Sequence, residues 1–117
     1  LSQEAASAAY KGGGEWLKQL NLYLEGNRDF LRTFISQEIP AIKTTEIQAT
    51  FLAWLDCTDL PIEGSPQEYF EKKAKVGLNA GASFGPGYDK FVRLNFGTSR
   101  KILSDALEKM AASVKQI

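Results

Sequence analysis

Phe91-Val92-Arg93-Leu94-Asn95-Phe96-Gly97 is the stretch on which the reading of the fold turns. Alternate side chains of a β-strand face opposite sides. Read as a strand over residues 90–96, this segment puts Val92, Leu94 and Phe96 on a core face and Phe91, Arg93 and Asn95 on the other. Gly97 ends the strand, and Thr98 or Ser99 caps a helix over 99–115 whose Leu103, Ala106, Leu107, Met110 and Val114 form one apolar face. The alternation sets an arginine and an amide on one side, just before a helix start. A guanidinium offers two parallel donors to a planar anion, and a helix N-terminus carries partial positive charge, so a carboxylate fits there. Spacing alone favours the plainer alternative, a solvent-facing arginine on a half-exposed strand.

Working upstream, Asn79-Ala80-Gly81-Ala82-Ser83-Phe84-Gly85-Pro86-Gly87 reads as a tight irregular loop after a short strand at 76–79. Its glycines permit close backbone approach to a ligand or a neighbouring domain, or simply a plain connection. It is not a phosphate loop, because neither G-x-x-x-x-G-K-[ST] nor G-x-G-x-x-G occurs in it. Ser65-Pro66-Gln67-Glu68 predicts a helix start with a capping box, and the helix runs to about residue 75. Residues 50–56, TFLAWLD, form a nearly all-apolar strand expected at the sheet centre, and residues 41–49 a further strand rich in β-branched residues. A helix over 15–38 carries a wide apolar stripe that includes Trp16, Leu17, Leu22 and Tyr23, with Gly26-Asn27 as a weak point and Pro40 as its stop. Gly12-Gly13-Gly14 separates it from a first helix at 2–10. Strands interspersed with helices in so short a chain predict an α/β (α+β) domain, an open three- to four-stranded sheet with helices packed on it.

Composition narrows the chemistry. With 117 residues, 44% hydrophobic and 24% charged, the chain suits one domain with a real core. Fourteen basic and fourteen acidic residues balance, which gives no basis for a nucleic-acid or anionic-membrane partner. No apolar run is long enough to span a bilayer, and Leu1 to Tyr10 lacks the pattern of a signal peptide, so a cytoplasmic setting is expected. The absence of histidine removes the commonest metal ligand and general base. The single cysteine, Cys57, sits among apolar neighbours and reads as a buried, inert thiol. Asp56 and Asp59 read as a strand end and a turn residue rather than as a catalytic pair. On these grounds the chain is a domain with at most one binding arginine, and a free-standing, non-catalytic α/β interaction module satisfies them as well.

Four segments resemble a known family. Glu15-Trp16-Leu17 with Tyr23-Leu24-Glu25-Gly26-Asn27 is similar to the helix that opens the small domain of cystathionine β-lyases of the MalY/PatB type. Thr50 to Cys57 resembles that family's T-Y-L-x-W-L-D strand, Val76 to Gly85 its V-x-L-x-x-G-x-x-F-G turn, and Phe91 to Arg100 its F-V-R-L-N-x-x-x-x-R segment. The departures are Phe51 in place of tyrosine and Ala80 where proline is common.

The resemblance implies that residues 1–117 are the small C-terminal domain of a fold-type I, pyridoxal-phosphate-dependent enzyme. The parent would be a carbon–sulfur β-lyase or a class I/II aminotransferase, working on an amino-acid substrate as a homodimer. The resemblance further implies that Arg93 grips the substrate's α-carboxylate, that Arg100 is structural, and that Gly81, Phe84 and Gly85 form a turn at the active-site mouth. In such enzymes a lysine of the large domain forms the Schiff base and an aspartate there pairs with the pyridine nitrogen. That domain would lie upstream of residue 1, so this chain alone is expected to bind no pyridoxal phosphate, to contain no catalytic residue and to be inactive. Arg93 is then expected to face an open concavity that the large domain roofs.

Overall fold

The computed structural model describes all residues, 1–117. Helices α1 (Ser2–Gly12) and α2 (Gly14–Glu38) are followed by strands β1 (Lys43–Thr44) and β2 (Leu52–Asp56), then by helix α3 (Pro66–Tyr69), strands β3 (Asn79–Ala80) and β4 (Phe91–Asn95), and helix α4 (Arg100–Lys115). The order of helices and strands is the one the sequence predicts. The strands form one antiparallel sheet in the order β1-β2-β4-β3, so the two longest strands are central. Their register aligns Ala53 with Leu94 and Leu55 with Val92, and all four side chains are buried. Leu31 and Ile35 of α2 and Leu103, Leu107 and Met110 of α4 join them in one core. Each such side chain, fully buried, stabilises the fold by about 1.5–3 kcal/mol.

Local expectations fail where long-range packing decides. Only Lys43 and Thr44 of the strand expected at 41–49 pair with β2; Ile47 instead turns into the core beside α2. β propensity expresses fit to a pleated surface, and here the chain leaves β2 after Thr44, although β2 continues through Trp54 to Leu52, and buries Ile47. The strand expected at 76–79 is displaced to Asn79–Ala80, because Val76 N–H bonds the Phe70 carbonyl and closes the preceding helix. That helix widens into a π-helical turn at Phe70–Ala74 and ends with Lys75 in the left-handed conformation. Ser65 makes no side-chain capping bond, so the capping box is absent, although Pro66 does take the first helical position. Ser99 does cap α4, its hydroxyl accepting from Ile102 N–H.

Gly26-Asn27 is no weak point. Helix α2 runs through it, and Asn27 is fully buried. Its amide nitrogen donates to the carbonyls of Phe96 (3.0 Å) and Thr98 (2.8 Å), and its oxygen accepts from Arg100 Nε at 2.6 Å. A Cβ on Gly26 would stand 2.7 Å from Arg100 Nη2, so glycine lets the guanidinium lie against the helix. The same guanidinium lies over the rings of Phe30 and Tyr23. Arg100 is therefore structural, as its place in the closing segment suggested. Asn27→Ala leaves the Phe96 and Thr98 carbonyls and a guanidinium without their partner. It is expected to lower unfolding free energy by about 2–3 kcal/mol in a urea titration, against under about 1 kcal/mol for an exposed control such as Asn21→Ala.

Candidate functional site

The helices cover one side of the sheet. On the other, Trp54, Phe91 and Arg93 project from the central strands, with Trp54 directly opposite Arg93 across β2–β4 and Asn79 opposite it across β3–β4. The 3₁₀ turn Gly81–Phe84 and the loop after it fold onto this face. Trp54 sits at the centre of an aromatic group: its ring centroid lies 5.6 Å from Phe84, 5.5 Å from Tyr88 and 5.4 Å from Phe91. Phe84 and Tyr88 remain 47% and 43% exposed, so the group is open outward.

Arg93 is half-buried, and its alternation against Val92 and Leu94 is as the sequence predicts. Its guanidinium lies 4.6 Å from the Phe84 centroid and donates from Nε (3.4 Å) and Nη2 (3.3 Å) to Asn79 Oδ1. Arg93 lines none of the five main grooves, each of about 350–450 Å³. It stands on an open aromatic face.

Two helpers read from the sequence are otherwise engaged. Asn95 turns its amide oxygen to Gly97 N–H at 2.8 Å, closing its own turn. At the start of α4, Ile102 N–H bonds Ser99 Oγ and Arg100 N–H bonds Tyr23 Oη, so these donors face internal partners rather than an anion. Gly81 is buried, and a Cβ there would meet the Tyr88 carbonyl and stand 2.6 Å from the Phe91 carbonyl. That close approach pins the turn against β4, and Gly85 at φ +144° lets the chain leave it. Asn79, Trp54 and Tyr88 escaped the sequence reading. Trp54 had a signal, since Ala53 and Leu55 flank it on the core face; Asn79 and Tyr88 had none.

The other reactive groups are structural. Cys57 is fully buried, and burial pushes its thiol up to about 12. Asp56 accepts from the hydroxyl and N–H of Thr58, which holds its carboxyl below the usual carboxylate range, and Asp59 pairs with Lys43 at 2.7 Å. No group of three His, Cys, Asp or Glu side chains is placed to hold a metal ion, and no helix is long and apolar enough to cross a membrane.

No family model matches the chain. Among curated relatives, cystathionine β-lyase PatB of Bacillus subtilis is 38% identical over 94% of this chain and 29% of its own length. Cystathionine β-lyase of Corynebacterium glutamicum is 36% identical over 92% of this chain and 28% of its own length. A crystal structure from Corynebacterium diphtheriae, provisionally named a pyridoxal-phosphate-dependent β-cystathionase, superposes with a TM-score of 0.91 at 50% identity, over 95% of this chain and 29% of that one. The chain thus spans less than a third of the length of these relatives. The fold is that of the small C-terminal domain of fold-type I, pyridoxal-phosphate-dependent enzymes of the aminotransferase class. Over 92% or more of its length, the chain is similar to part of proteins named cystathionine β-lyase or MalY.

The close packing at Gly81 and the burial of Cys57 give two measurable outcomes. Gly81→Ala is expected to cost about 1–3 kcal/mol of stability through forced overpacking and to alter the near-ultraviolet circular dichroism of the Trp54 aromatic group. Cys57 is expected to stay unreactive toward a thiol reagent at pH 8 in the folded chain and to react at once in denaturant.

Proposed function

We propose that this chain is the C-terminal small domain, residues 1–117, of a longer pyridoxal-phosphate-dependent carbon–sulfur β-lyase. In that protein Arg93 holds the α-carboxylate of a sulfur-bearing amino acid. The observation that carries the reading is an arginine with free donors on the exposed face of a central strand, in a chain whose relatives are named cystathionine β-lyases. Bound pyridoxal phosphate supplies the electron sink for charge developing at the substrate's α-carbon.

The residues of this domain do not fit the role of holding that cofactor. It needs a lysine amine, an acidic partner for its ring nitrogen and donors for its phosphate. The face around Arg93 offers Trp54, Asn79, Phe84, Tyr88 and Phe91, with no lysine and no carboxylate among them. The cofactor's groups therefore belong to the remainder of the longer protein. The domain's own part is to fix one end of the substrate. A two-pronged grip on the carboxylate sets the direction in which the α-carbon and the β-thiol leaving group present themselves, and fixed orientation lowers the barrier by removing rotational freedom in advance. The open aromatic face and the exposed α2 stripe, with Trp16 68% and Leu22 61% accessible, are surfaces for the remainder of that protein to cover. The reading carries a cytoplasmic homodimer with it.

Arg93→Lys keeps the charge and removes the fork. In the full-length, cofactor-loaded protein it is expected to lower kcat/KM by about 2–4 kcal/mol, roughly 30- to 1000-fold, with little change in stability. Unaltered kinetics with cystathionine would show Arg93 to be structural. Reaction only in the presence of a 2-oxo acid as amino acceptor would turn the reading from lyase to aminotransferase.

A further inference from the structure

We infer that Asn79, backed by Phe84, is the positioning residue for Arg93, and that it commits the guanidinium to receiving a substrate carboxylate on its Nη1–Nη2 edge. This deepens the reading above and rests on it. A guanidinium has five N–H donors, no acceptor and a rigid plane. Two of them, on Nε and Nη2, converge on the single acceptor Asn79 Oδ1 at 3.4 and 3.3 Å. Because arginine can only donate, the amide must present its oxygen here. The side-on edge of the fork is thereby occupied, and the outer edge, one Nη1 proton and the second Nη2 proton, is left for a two-pronged ligand.

Two further features fix the plane. Asn79 and Arg93 are direct partners across β3–β4, so backbone register sets their separation. Phe84 lies against the guanidinium with its centroid 4.6 Å from Cζ, covering one face of the plane. The turn carrying Phe84 starts two residues after Asn79, at the glycine pinned under Tyr88 and Phe91. One short segment, 79–84, therefore delivers both the acceptor and the ring. An arginine on an open strand otherwise samples many rotamers, and ordering it on binding costs affinity. Asn79 and Phe84 remove that freedom beforehand.

The test uses the full-length, cofactor-loaded protein and two ligands: an α-amino acid with no leaving group at its β-carbon, and the corresponding amine without the carboxylate. Dissociation constants come from calorimetry, and KM and kcat from cystathionine turnover. Asn79→Ala is expected to weaken the amino acid about tenfold, the equivalent of one lost hydrogen bond to a charged group, to leave the amine unchanged, and to raise KM with kcat nearly constant. Asn79→Asp keeps the shape but sets a competing carboxylate against the guanidinium, and is expected to weaken the amino acid by more than Asn79→Ala does. Equal loss on both ligands, or wild-type binding by either variant while Arg93→Lys weakens the amino acid, overturns this inference alone. Arg93→Lys that binds both ligands as wild type overturns the Arg93 reading and this inference with it.

Discussion

One buried amide holds the architecture together. Asn27, in the middle of the long helix, reaches the carbonyls of Phe96 and Thr98 where the central strand gives way to the last helix, and takes the Arg100 guanidinium on its oxygen. A buried amide has to satisfy its donors and its acceptor, and only one mutual arrangement of α2, β4 and α4 does so. Apolar packing between these elements tolerates sliding; three directional bonds from one side chain do not. Every residue of the outer face inherits its position from that choice, because β4 carries Arg93 directly and aligns Trp54 and Asn79 through its register.

The sheet divides the labour of the chain. Its inner side is a close-packed apolar core. Its outer side is an aromatic bed around one arginine, with Trp54 at the centre and Phe84, Tyr88 and Phe91 around it. Aromatic rings suit this task because they pack edge to face without polar demands and still offer a π face to a guanidinium.

What the sequence revealed follows from the range of the forces involved. Strands 90–96 and 50–56 and the helix at 99–115 were legible because their periodicity reports which side of each is buried. The outward placement of Arg93 was legible for the same reason, as the polar exception on an alternating strand. The strand expected at 41–49 shrank to two residues because the chain leaves the edge of β2 and buries Ile47, a tertiary demand that β propensity does not carry. Gly26-Asn27 was misread since a glycine beside an asparagine looks like a helix flaw until the arginine 73 residues onward is set against it. Asn79 stayed hidden because its meaning lies in a cross-strand neighbour fourteen positions away.

The edge strands β1 and β3 are two residues long each. A bare sheet rim can recruit foreign strands, and here each edge strand offers an incoming backbone only two residues to zip along. The exposed apolar surface lies in side chains, among them Trp16, Leu17, Leu22 and Tyr23 of α2. Side-chain surfaces discriminate by shape, whereas bare strand edges accept almost any sequence. A short rim beside an exposed apolar flank therefore favours contacts that select by shape.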